Sequence, residues 1–154
     1  MRALYLPVFL LLVLVPVMLT SCASSRGARE EAVGLLRYPQ YALRQGPGRD
    51  TVYMAISDEA SFNTAFTATG TGDRKPDFSG QTVVAIYTPG PGVRMERAAK
   101  LGNTMNVYAS TCATGITDCP ANGLAVATVP RAGNVTQVRF FIDSIARGTA
   151  AIVK

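Results

Sequence analysis

Residues 81–88 read QTVVAIYT, a run that is apolar at odd and even positions alike. Side chains of a strand alternate between its two faces, so a run of this kind needs apolar cover on both. It is therefore predicted to be the central strand of the domain. Glycine and proline divide the flanking sequence into short segments rich in β-branched residues. Segments 51–56 (TVYMAI) and 124–129 (LAVATV) have the composition and length of strands. Segments 93–101 and 104–111 flank Gly102-Asn103, a two-residue loop suited to positive φ, and predict a hairpin. Residues 33–43 predict an irregular first strand, and 135–142 and 149–153 predict two more strands. Turns fall at 45–48, 89–92 and 130–134.

One helix is expected after residue 56. Ser57 is placed as its N-cap, with Asp58 and Glu59 in the first turn, where carboxylates complement the helix dipole. Phe62 and Phe66 lie four residues apart and are predicted to bury together on one helix face, Phe66 against Val84 and Ile86. Residues 67–72 end the helix and 73–76 form a polar loop. One short helix among roughly six or seven strands predicts an α+β fold, mainly an antiparallel β-sheet or sandwich-like domain. Phe140 and Phe141 are adjacent in a predicted strand and so face opposite sides, one of them toward a second layer or a partner.

The N-terminus carries a different kind of signal. Arg2 is followed by an uncharged run from residue 3 to 18, the length of a signal-peptide core and short for a membrane span. Pro16 interrupts the helix that a span would need. The run ends in Leu19-Thr20-Ser21-Cys22, which resembles the lipobox of bacterial lipoproteins: a branched apolar residue, two small residues, then the thiol that accepts diacylglycerol. On this reading residues 1–21 are a signal peptide and Cys22 is lipidated, anchoring the chain to the membrane. Residues 22–32 are then a flexible tether and 33–154 a single β-rich domain. Ala23 stands where inner-membrane lipoproteins often carry Asp, and by that resemblance the address is the outer membrane, on its periplasmic face or at the cell surface.

With Cys22 assigned to lipid, Cys112 and Cys119 remain, bracketing a polar, Gly-containing loop. In an oxidising compartment the pair predicts a structural disulfide. Without a histidine anywhere in the chain, two thiolates supply too few ligands for a metal site. The same absence excludes Ser-His-Asp and Cys-His nucleophile systems. Asp58 and Glu59, adjacent on a helix, point apart and suit helix capping better than paired acid catalysis. Residues 70–75, GTGDRK, are followed by Pro76 and a strand where a phosphate loop requires a helix. No cofactor is implied. The chain carries a net charge of +5, but neither its compartment nor any motif points to nucleic acid.

From residue 57 to 93 the chain resembles the C-terminal domain of the PrcB family of protease-complex subunits. The resemblance is carried by the acid-rich helix start with Phe62 and Phe66, and by Pro76-Asp77-Phe78-Ser79-Gly80-Gln81 running into Thr82-Val83-Val84-Ala85-Ile86-Tyr87. Residues 124–142 are loosely similar to the closing strands of that family. Where the family shows a Thr-Gly-Gly-Tyr-like turn, this chain has Pro89-Gly90-Pro91-Gly92-Val93-Arg94. The resemblance implies a non-catalytic lipoprotein that binds or stabilises an envelope protein, in some members a surface protease. It carries over no catalytic residue. The candidate partner-binding residues are Pro89, Gly90, Pro91, Gly92, Arg94 and Arg97, where prolines pre-set the backbone and arginines steer an acidic partner. A structural envelope lipoprotein contacting peptidoglycan and a hydrolase inhibitor are the alternatives.

Overall fold

The computed structural model describes residues 29–46, 48–70, 74–113, 119–120 and 123–153. The elements run β1 (Glu31–Val33), β2 (Leu36–Arg37), β3 (Tyr41–Leu43), β4 (Val52–Ile56), α1 (Glu59–Ala65) and β5 (Phe66–Ala68). They continue as β6 (Gln81–Tyr87), β7 (Val93–Leu101), β8 (Thr104–Thr111), β9 (Leu124–Pro130), β10 (Gln137–Ile142) and β11 (Ile145–Ala151). A five-stranded sheet in the order β1-β7-β8-β10-β11 faces a four-stranded sheet in the order β2-β9-β6-β4. β3 and β5 form a separate ribbon beside α1. The fold is the mainly antiparallel, sandwich-like arrangement with one short helix that the strand pattern predicts. β8 and β10 pair in parallel. The chain runs from β8 to β9 in the opposite sheet and back, so the second passage through the first sheet repeats the direction of the first.

β6 shows why its sequence is apolar throughout. Val84 and Ile86 point into the core between the two sheets, with Val107, Val138 and Phe140. Val83 and Ala85 point the other way, into a second core with Tyr38, Tyr41, Phe62 and Phe66. The four-stranded sheet is thus a middle layer covered on both faces, and β6 lies inside it between β9 and β4.

The helix is shorter than expected and begins one residue later. Asp58, not Ser57, is the N-cap, and its carboxylate accepts from the Ser61 backbone N–H at 2.8 Å. Phe66 lies beyond the last helical residue in extended conformation and opens β5, so it reaches Phe62 from the C-cap position (ring centroids 4.9 Å apart). Its core neighbours on β6 are Val83 and Ala85, which corrects the expected packing against Val84 and Ile86. The helix has no basic residue in its last turn, and Arg44 supplies one from beyond β3. Arg44 Nε donates to the carbonyls of Asn63 (2.6 Å) and Phe66 (2.9 Å), capping the helix C-terminus.

Other boundaries shift as well. The end of the expected tether belongs to the fold: Glu31 and Ala32 pair with Lys100 and Ala99 of β7. β7 therefore has a strand neighbour on each side over 98–100. The last strand begins at Ile145, turning from β10 through Asp143 and Ser144, both at positive φ (51° and 67°). Asp143 also accepts from the Thr111 N–H (2.9 Å) and hydroxyl (2.6 Å), tying that turn to the end of β8. Gly148 is required by a close approach, since a Cβ there would lie 2.3 Å from the Tyr53 ring, which packs at a tilt against Phe140. Val153 bridges the two sheets, donating its N–H to Ala55 and accepting from the Ser57 N–H, both at 3.0 Å.

Candidate functional site

The candidate residues divide between two places. Pro89, Gly90 and Pro91 are exposed at the β6–β7 connection, next to the disulfide loop. The Cys112 and Cys119 sulfurs lie at bonding distance, 2.08 Å. The Cys112 N–H donates to the Gly92 carbonyl (2.8 Å), and a Cβ on Gly92 would meet the Pro120 carbonyl at 2.9 Å. Thr88 donates its N–H to the Gly123 carbonyl (2.9 Å) and its hydroxyl to the Pro91 carbonyl (2.9 Å). Gly123 sits at φ +70°, where any side chain would also collide with the Thr88 carbonyl. The 89–92 loop is therefore exposed at its tip and fastened at both ends.

Beside it a cleft of about 430 Å³ opens between the sheets, lined by Arg37, Pro39, Val93, Arg94, Met95 and Pro120 among others. Arg37 spans the mouth, its Nε donating to the Met95 carbonyl at 2.7 Å, so β2 of one sheet is bound to β7 of the other. Arg94 lies on the rim and donates from Nε (3.0 Å) and a terminal nitrogen (2.8 Å) to Glu96, which also accepts from the Ser110 hydroxyl (2.7 Å). The hydroxyl and the guanidinium hold the Glu96 carboxyl below its usual range.

Arg97 belongs elsewhere. A bulge between Met95 and Arg97 shifts the register of β7, and Arg97 lies on the outer face of the five-stranded sheet. Its guanidinium sits 3.6 Å from the centre of the Tyr108 ring, which stacks on Phe141 (4.8 Å, 19° between planes). Phe140 points into the core, so the two phenylalanines do take opposite faces. Glu30 closes this cluster. Its carboxylate accepts from the Tyr108 hydroxyl and from Asn106 Nδ2 (2.6 Å), with Arg97 at 3.7 Å. Tyr108 first, then Asn106 and Arg97, hold the Glu30 carboxyl below its usual range.

The sign of the resulting pH dependence follows. A depressed carboxyl stabilises the fold at pH values above its unfolded value and loses that contribution as pH falls through its folded value. Glu30→Gln is therefore expected to lower Tm by up to about 4 °C at neutral pH. The gap to the parent protein should narrow steadily below pH 4.5, the ordinary value for this group. Thermal melts of both proteins from pH 7 to pH 2 check this; a constant gap would show that the glutamine acts through packing.

A second concavity, of about 570 Å³, is lined by Ser57, Asp58, Glu59, Thr82 and Arg131 among others. Arg131 donates to the Ser57 carbonyl. Ser61, through its N–H, holds the Asp58 carboxyl below its usual range. Both contacts belong to the helix start. Among the described residues no group of three or more His, Cys, Asp or Glu could hold a metal ion. No helix among them is long and apolar enough to cross a membrane. Cys22 and residues 1–28 lie outside the described residues.

Sequence reasoning missed Arg37, Glu30, Asn106 and Tyr108. Arg37 and Glu30 stand in stretches without apolar periodicity, and Asn106 and Tyr108 read as ordinary strand positions. No local signal marks any of the four, because their hydrogen-bond partners are 58 to 78 residues away. No family model, curated protein or solved structure matches this chain.

Proposed function

We propose that residues 22–154 form a lipid-anchored, non-catalytic module of the outer membrane that binds or stabilises another envelope protein, such as a surface protease. The observation that carries this reading is the fastened loop at 89–92. Its tip is exposed, its ends are held by Thr88, Gly123, Pro120 and the Cys112–Cys119 pair, and Arg94 stands beside it at the rim of a cleft. A surface already ordered loses little conformational entropy on docking. The resemblance of residues 57–93 to the PrcB-like domain supports the same class of function, as does the lipobox-like Leu19-Thr20-Ser21-Cys22.

Two measurements test it. Mass spectrometry of protein from membranes should find an acylated Cys22 at the N-terminus, and Cys22→Ser should abolish both acylation and processing there. A chain beginning elsewhere without lipid would overturn the anchoring. For the partner, a variant combining Pro89→Ala, Pro91→Ala and Arg94→Glu keeps Gly92, whose place has no room for a side chain. Gentle-detergent pull-down should recover a stoichiometric envelope protein with the parent and lose it with the variant, whose Tm should fall by no more than about 4 °C because the Arg94–Glu96 pair it breaks is partly solvent-exposed. Equal recovery by both would move the interface elsewhere, and co-sedimentation with peptidoglycan in place of a protein would favour the structural alternative.

A further inference from the structure

The outer face of the five-stranded sheet has no covering layer among the described residues, unlike both faces of the four-stranded sheet. The chain also leaves the fold from that face. Glu30 is held there by Tyr108, Asn106 and Arg97, and β1 follows it on the sheet margin. Between Cys22 and Glu30 there is room for at most about 28 Å of extended chain. The α1 layer lies on the far side of the sandwich, roughly 20 Å deeper at about 10 Å per layer. A leash fixed on this face lets the face meet the anchoring surface directly, whereas the α1 layer reaches it only with the leash largely extended.

The chemistry of the face suits such a neighbour. Arg97, with its side chain 58% exposed, and Arg139 project from it, and Arg26 and Arg29 lie on the leash itself. Its carboxylates, Glu30 and Glu96, are already occupied by hydroxyl, amide and guanidinium donors. Arg139 has no ion-pair partner among the described residues. The Tyr108–Phe141 stack adds aromatic surface of the kind favoured at membrane–water interfaces. Basic residues beside a lipid anchor are attracted to anionic headgroups over about a Debye length.

We infer that the outer face of the five-stranded sheet lies against the anionic phospholipid headgroups of the membrane that anchors the chain. The 89–92 loop then points along the bilayer and the α1 layer away from it. This rests on the lipid-anchor reading above, and the test is built so that the two fail separately. The isotope-labelled chain from residue 22 is coupled through Cys22 to a maleimide lipid in nanodiscs that carry a paramagnetic lipid, so the outcome does not depend on acylation in the cell. With anionic phospholipid, amide signals of Arg139 and Phe141 should broaden at least about threefold more than those of Asn63 and Thr64 on α1. The difference should shrink with purely zwitterionic lipid, and with Arg29→Glu combined with Arg139→Glu, neither of which makes an ion pair among the described residues. Uniform broadening would overturn the inference and leave the face to a protein partner. Asymmetry that ignores lipid charge would overturn the headgroup contact.

Discussion

Phe66→Ala is expected to cost about 3–5 kcal/mol, a large fraction of the stability of a domain of this size. The ring is 2% exposed and packs against Phe62, which in turn touches Tyr41 (5.0 Å, edge-on) and Phe78 (5.5 Å). Its removal opens a void in the smaller of the two cores. The backbone of Phe66 also accepts from Arg44, so the substitution changes the packing and leaves that cap in place. Denaturant unfolding checks the value. A loss under ~1 kcal/mol would mean that α1 docks without this ring.

Removing the disulfide with Cys112→Ala and Cys119→Ala is expected to cost about 2–3 kcal/mol, the loop-closure entropy that a short cross-linked loop withdraws from the unfolded chain. Global stability falls by that amount, while structural change within the folded state should be confined to one end. Cys112 stays bound to Gly92 through the backbone and Thr88 to Gly123, so both sheets should keep their pairing while the cleft end loosens. Hydrogen exchange would then rise most around residues 88–93 and 123–126, while core amides of β8 and β10 speed up only by the loss in global stability. Thiol labelling of the denatured, unreduced parent protein gives the companion result: neither Cys112 nor Cys119 should react. A double variant as stable as the parent would remove the disulfide from the account of this end of the molecule.

The hairpin of β7 and β8 was legible because its turn chemistry is local: Gly102 takes φ +61° between two alternating runs. The turn between β10 and β11 was not, although it has the same function. Asp143 and Ser144 are not residues that favour positive φ as a pair. They adopt it where Asp143 also binds Thr111, a contact 32 residues distant that no window of sequence contains. The helix start shows the same division at closer range. A capping side chain and acidic first turn were evident, but Ser57 and Asp58 are equally good caps, and the choice fell to the tertiary contact of Ser57 with Val153 (2.8 Å).

Alternation, β-branched composition and Gly/Pro punctuation determined by themselves that this chain is a two-sided β structure with β6 at its centre. These are short-range properties, set by side-chain direction and backbone sterics. Which of its faces meets the helix depends on strand parity relative to distant elements, and a one-residue shift exchanges Val83 and Ala85 for Val84 and Ile86. Only the packed structure decided that parity. It also placed Glu30 on Tyr108 and Arg37 on Met95, because hydrogen bonds between remote segments form only after the sheets have brought those segments together.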